Sequence, residues 1–200
     1  MIDDWEIGNF AFVTNSPIRL TRLLLKFLVS SYYSIPNINS EFIRLSVMSG
    51  HKEFINEYIA TSDPTVQKAC NDKLIGLIQE NQLTLLGFIQ ALQIYITSTN
   101  DDIRVLTFKL LSEVLSNLQP SKLFPKDIEV LMAFLFSKLT DKPVTKYVMS
   151  SLYSLTRMKY YNVEKTDDVL ENLTKNYNPK EHPQLIRATT LKIFNHLVVS

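Results

Sequence analysis

Basic side chains recur at equivalent positions of the first and third repeating segments in the C-terminal half of this 200-residue chain. When the segments are aligned, Arg104 corresponds to Thr145 and Arg187, and Lys109 corresponds to Ser150 and Lys192. Such rows on the exposed side of successive helices, reinforced around Lys146, could bind an acidic segment of a partner protein. The alternative is a solvated surface whose charges only keep the outer faces soluble. The candidate partner-binding residues are Arg104, Lys109, Lys146, Arg187 and Lys192, and further basic residues of the middle repeat are Lys138, Lys142, Arg157 and Lys159.

Residue patterns that would indicate catalysis or metal binding are missing from the sequence. It contains no Gly-rich phosphate loop, no pair of histidines four residues apart and no Gly-x-Ser-x-Gly turn. Cys70 is the one cysteine, which excludes an internal disulfide and a Cys-rich zinc site. The acid pairs at residues 101–102 and 167–168 stand near predicted helix starts, where carboxylates stabilise the helix. We therefore expect no catalytic residue, no metal site and no cofactor, and we keep an enzyme only as a third class of function.

The overall charge also restricts the class of partner. The chain carries 21 basic and 20 acidic side chains, so it lacks the net positive field typical of proteins that bind nucleic acid or anionic lipid. Its apolar runs fall short of the roughly 20 residues that cross a bilayer. We expect protein partners, with no direct binding to nucleic acid and no membrane association.

The elements that would position these side chains are helices arranged in repeats. Helices are predicted to open near Leu83, Asp101, Pro125, Pro143, Val163 and Pro183, which gives three helix pairs at a period of about 40 residues. Apolar residues of the second helix in each pair superpose: Ile103, Leu111 and Val114 on Val144, Leu152 and Leu155, and those on Ile186, Phe194 and Leu197. The pattern predicts an all-α, HEAT/armadillo-like α-solenoid of stacked helix pairs without a sheet.

The N-terminal part does not share this pattern. Residues 1–47 are predicted to be an extension of uncertain status, and residues 48–200 to form a HEAT-type solenoid that is truncated at its C-terminus. Within the solenoid, a short helix is predicted over residues 51–59, followed by a helix that starts at Asp63-Pro64.

Several segments resemble one protein family. They are Leu85–Leu92, Arg104–Leu115, Phe134–Asp141, Leu155–Tyr160 and Arg187–Phe194. Together they are similar to the N-terminal region of a large HEAT-repeat scaffold family, which belongs to the cytosolic iron–sulfur targeting complex and is named after sensitivity to methyl methanesulfonate. The resemblance runs from about Glu53 to the end of the chain.

The resemblance implies an adaptor function in the cytoplasm and nucleus. Members of this family pass assembled iron–sulfur clusters to apoproteins of DNA repair, replication and transcription, including helicases. The implied partners are the other targeting-complex subunits and these DNA-maintenance apoproteins, although the family contacts the other subunits mostly through its C-terminal repeats. A general α-solenoid adaptor in transport or trafficking shares every feature of the helices and stays an alternative.

Overall fold

The computed structural model describes residues 41–176, 178 and 180–199, with side chains from residue 50 onward. Most of the predicted N-terminal extension, residues 1–40, lies outside this part of the chain, as does Tyr177. All described residues belong to one compact unit.

The described residues form eight α-helices and one short 3-10 helix, without a strand. The helices are α1 (Glu41–Ala60), α2 (Pro64–Gln79), α3 (Leu85–Ile96), α4 (Asp101–Asn117), α5 (Pro125–Phe136), α6 (Thr145–Thr156), α7 (Thr166–Asn176) and α8 (Gln184–Val199), and the 3-10 turn Val163–Lys165 precedes α7. The predicted all-α fold is confirmed. The short helix predicted over residues 51–59 is wrong in its length, because α1 begins at Glu41 and crosses the proposed boundary at residue 48 without a break. The division into 1–47 and 48–200 stays a prediction.

The second helices of the pairs form a continuous row. α4 packs against α6, and α6 packs against α8, while α2 lies beside α4 at the start of the row. The first helices α3, α5 and α7 each pack against the second helix of their own pair. This layered arrangement is that of an α-solenoid, in which each pair buries its apolar side against its neighbours.

Local sequence signals determine where the helices start. Asp63 caps α2 by accepting a 2.8 Å hydrogen bond from the Thr65 amide, and Pro64 occupies the first helical position. Asn100 caps α4 in the same way, through a 2.9 Å bond from the Asp102 amide. Both caps follow short polar segments, so they could be predicted from sequence.

The C-terminus of α2 is capped locally and is also contacted by a side chain of the following repeat. Asn81 adopts a left-handed conformation with φ of 60°, and the Gln82 amide donates to the Leu77 carbonyl at 2.9 Å, which is the Schellman arrangement. The ammonium group of Lys122, from the connection between α4 and α5, donates to the Gln79 carbonyl at 2.8 Å. A cation at a helix C-terminus is favoured by the helix dipole.

The core follows the row of second helices. Fully buried apolar side chains come from each of them, and the rings of Phe108 and Phe134 stack between α4 and α5 with their centroids 6.1 Å apart. Core residues of the row are Leu110, Leu111, Val114, Val148, Leu152, Leu155 and Ile193. No helix within the described ranges is long and apolar enough to span a membrane.

Leu152→Ala is expected to lower the free energy of unfolding by about 3 kcal/mol, because Leu152 is fully buried on the middle helix of the row. Leu191→Ala is the matched control, since Leu191 lies on α8 with 61% of its surface exposed, and it should cost less than about 0.5 kcal/mol. Urea denaturation measures both. Equal effects of the two substitutions would contradict the stacked core.

Candidate partner-binding groove

An open groove of about 620 Å³ runs across the exposed side of α4, α6 and α8. Its lining combines basic, aromatic, small polar and apolar side chains from all three helices. The polar and aromatic lining residues include Glu113 and Ser116 of α4, Lys146, Tyr147, Ser150, Tyr153 and Ser154 of α6, Arg157 directly after α6, and Thr189 and Lys192 of α8. The groove is therefore a surface that exists only when the three repeats are stacked. We call it the second-helix groove.

The structure separates the candidate residues into two groups. Lys146 and Lys192 line the second-helix groove, together with Arg157. Arg187 is exposed on α8 but does not line it. Arg104 and Lys109 make intramolecular contacts between repeats. The predicted rows are thus not two equivalent ladders, and partner binding by these residues stays a prediction.

Arg104 links the connection between α3 and α4 to the connection between α5 and α6. Its guanidinium donates two hydrogen bonds of 3.2 Å to the carboxylate of Asp141, which lies between α5 and α6. It also contacts Asp101 at 2.8 Å and donates to the Ser98 carbonyl at 3.0 Å. The hydrogen bonds with Asp141 raise the pKa of Arg104. Only 17% of the side chain is exposed, and Thr145, at the same position of the next repeat, is buried, so Arg187 is the one member of this row that lies on the exposed side.

Lys109 and Glu113 connect α4 to the first two helices. The Lys109 ammonium donates to the side-chain oxygen of Gln67 at 2.8 Å and lies 3.9 Å from the Glu113 carboxylate. That carboxylate accepts a 2.9 Å hydrogen bond from the Tyr58 hydroxyl and a 3.4 Å hydrogen bond from the side-chain amide of Asn71. The buried Tyr58 hydroxyl and the Gln67 side-chain oxygen are thereby paired, which avoids the cost of burying them unpaired, whereas the side-chain oxygen of Asn71 has no hydrogen-bond partner among the described residues.

Two basic side chains of the groove, Arg157 and Lys146, lie over tyrosine rings. The Arg157 guanidinium carbon is 5.4 Å from the centroid of the Tyr153 ring, and the Lys146 ammonium is 5.0 Å from that of Tyr147. Cation–π contacts of this kind favour these positions while leaving the charged groups in contact with solvent. Sequence analysis missed both tyrosines as groove residues. Their positions on the polar side of α6 were the available signal.

The other basic residues of the middle repeat do not line the groove. Lys138 is half-buried, with its ammonium 5.9 Å from the centroid of the Phe134 ring, and burial lowers its pKa. Lys142 and Lys159 are exposed. The groove therefore owes its positive charge to Lys146, Arg157 and Lys192.

Groups capable of chemistry are placed apart from one another. His182 lies 3.1 Å from the Asn176 carbonyl oxygen, and His196 lies 3.2 Å from that of Thr156. Burial raises the pKa of the Cys70 thiol, and its hydrogen bond with Glu57 does so further, which disfavours the reactive thiolate. Within the described part of the chain, no group of three or more His, Cys, Asp or Glu side chains could hold a metal ion.

The pair of Arg104 and Asp141 is expected to stabilise the fold. Arg104→Ala should lower the free energy of unfolding by about 2 kcal/mol, because it leaves a half-buried carboxylate without its two donors. A double-mutant cycle with Asp141→Asn should give a coupling energy of about 1 kcal/mol. Additive effects would show that the two side chains act independently.

Tyr58 is expected to keep its proton well above the ordinary tyrosine range. Burial raises its pKa, and the hydrogen bond to the negatively charged Glu113 raises it further. The folded state then retains a proton that the unfolded state loses as the pH passes about 10, so the contribution of Tyr58 to stability falls above that pH. The difference in tyrosinate absorbance between the wild type and Tyr58→Phe should stay flat through about pH 10 while the chain is folded. A difference signal with its midpoint near about pH 10 would contradict the buried contact.

Comparison with known proteins identifies the family. The family model described as Dos2-interacting transcription regulator of RNA-Pol-II, which represents the N-terminal region of MMS19, matches residues 89–200. The match includes the whole of α4, α6 and α8, the helices that line the groove.

Two curated relatives agree with this match. The chain is 24% identical over 127 residues to the DNA repair/transcription protein mms19 of Schizosaccharomyces pombe, covering 64% of this chain and 12% of that protein. It is 27% identical over 120 residues to the DNA repair/transcription protein MMS19 of Saccharomyces cerevisiae, covering 60% of this chain and 12% of the relative. No solved structure matches the chain significantly. The resemblance predicted from sequence is confirmed, and because the family model matches more than half of the chain, the chain belongs to the MMS19 N-terminal family.

Proposed function

We propose that this chain is part of a non-catalytic scaffold that helps to deliver cytosolic iron–sulfur clusters to apoproteins of DNA repair, replication and transcription. The observation that carries the proposal is the family match over residues 89–200, together with the names of the relatives as DNA repair/transcription proteins. The cluster is cargo in this scheme. The residues described above contribute surface for protein contacts.

The architecture suits such a role. Stacked helix pairs place the side chains of α4, α6 and α8 along one extended groove, which presents several repeats to a partner at once. The chain spans about an eighth of the length of its two relatives. We therefore propose that this region contacts client apoproteins, while the remaining targeting-complex subunits bind elsewhere on the scaffold. Such clients act where DNA is maintained, so the proposed location is the cytoplasm and the nucleus.

Affinity purification of the tagged chain from the cells that express it tests this role. The extract is treated with nuclease, so that nucleic acid cannot bridge proteins, and an unrelated α-solenoid of similar size is purified in parallel. We expect enrichment of iron–sulfur helicases and other iron–sulfur proteins of DNA maintenance over that control, quantified by mass spectrometry.

A different set of recovered proteins would contradict the proposal. Enrichment of transport or trafficking proteins without iron–sulfur proteins would reject the proposed role in favour of a general α-solenoid adaptor. Depleting cellular iron–sulfur clusters should increase the recovery of clients, because apoproteins are the form that waits for a cluster. Unchanged recovery would count against client binding.

A further inference from the structure

The two helices that carry Lys146 and Lys192 of the second-helix groove, α6 and α8, have no acidic side chains. The first helices of the same repeats carry the acids instead: Asp127 and Glu129 in α5, and Asp167, Asp168 and Glu171 in α7. A chain with a net charge of only +1 thus concentrates positive charge on one side of two stacked repeats.

The acid that lines the groove is already paired. The carboxylate of Glu113 accepts hydrogen bonds from Tyr58 and Asn71, and the Lys109 ammonium lies 3.9 Å away. Its negative charge is therefore offset by Lys109 on its own helix and is further stabilised by neutral hydrogen-bond donors from α1 and α2. The positive charges of Lys146, Arg157 and Lys192 are left to determine the potential along the groove.

Small side chains leave room for a bound segment. Ser116 of α4 and Ser150 and Ser154 of α6 line the groove, and each hydroxyl donates a hydrogen bond to a carbonyl of its own helix. Because each hydroxyl hydrogen is already donated to a carbonyl, the hydroxyl oxygen remains available to accept a hydrogen bond from a bound segment. The backbone amides of an extended peptide are suitable donors to such oxygens.

The geometry of the cations matches an extended chain. Lys146 and Arg157 are eleven residues apart along α6 and its C-terminus, a separation of about 16 Å along a helix. An extended segment covers that distance in about five residues. Lys192 lies on the neighbouring helix between these two levels, at the position equivalent to Ser150. The half-buried rings of Tyr147 and Tyr153 lie between the cations and offer apolar surface.

We infer that the second-helix groove binds an extended acidic segment of a partner protein, with carboxylates at Lys146, Arg157 and Lys192 and an apolar side chain against the tyrosines. The inference rests on the proposed function only in taking the partner to be a protein. Nucleic acid is disfavoured, because the positive patch is short and the first helices of the same repeats carry acids.

Fluorescence anisotropy with the full chain tests the inference directly. The probe is a fluorescein-labelled peptide of about twelve residues, built from acidic pairs separated by leucines. The comparison peptide has Asn and Gln in place of the acids. We expect the acidic peptide to bind at least about tenfold more tightly than the amide peptide, and binding to weaken as the salt concentration rises.

Matched variants locate the site. The triple substitution Lys146→Gln, Arg157→Gln and Lys192→Gln should weaken binding of the acidic peptide by at least about tenfold, because each removes one partly exposed charge contact. The control triple, Lys52→Gln, Lys126→Gln and Lys180→Gln, removes the same charge from exposed positions outside the groove and should change binding less than about twofold. Thermal unfolding followed by circular dichroism verifies that both variants are folded.

Three results would overturn the inference: no binding of the acidic peptide to the wild type, equal weakening by both triple variants, or equally tight binding of labelled oligothymidylate. The assay contains no iron–sulfur protein, so a negative result would reject the inference about the groove without testing the proposed function. Peptide binding without recovery of iron–sulfur clients would reject the delivery role and keep the groove. Recovery of clients without peptide binding would keep the delivery role and reject binding of an acidic segment in the groove.

Discussion

The contact between successive second helices is the constraint on which the rest of this structure depends. Leu111 of α4, Leu152 of α6 and Ile193 of α8 are fully buried, although none of these helices could bury its apolar side alone. Burial of one such side chain contributes about 2 kcal/mol, so a pair of helices gains its stability from its neighbours. The same contact brings three polar helix faces into one surface. The groove is a direct consequence of the stacking.

Polar contacts between repeats determine which basic side chains remain exposed. Arg104 is paired with Asp141, Lys109 with Gln67 and Glu113, and Lys122 with the end of α2. In the later repeats, Lys146 and Lys192 line the groove instead. Equivalent positions of a solenoid thus serve different purposes. Basic residues of α4 and of the connection that follows it hold repeats together, whereas Lys146, Arg157 and Lys192 give the groove its charge.

The fold was predictable because its signals are local. Apolar periodicity, Asp63-Pro64 and the polar segment that ends at Asn100 each act within a few residues, and the structure confirms the helices that they predict. The site was predictable only in part. Gln67 and Asn71 are buried because they meet Lys109 and Glu113 about 42 residues later, and polar residues without a known partner are expected on the surface. The same lack of a visible partner made Arg104 appear exposed.

Hydrogen–deuterium exchange of the full chain tests the stacked arrangement most directly. Because α6 is covered on both sides by α4 and α8, the amides at its centre should exchange among the slowest in the described residues, at rates close to those of α4. The amides of the connections between helices should exchange far faster. If α6 exchanged as fast as those connections while α4 stayed protected, the repeats would not share one core, and the account of the groove would be contradicted.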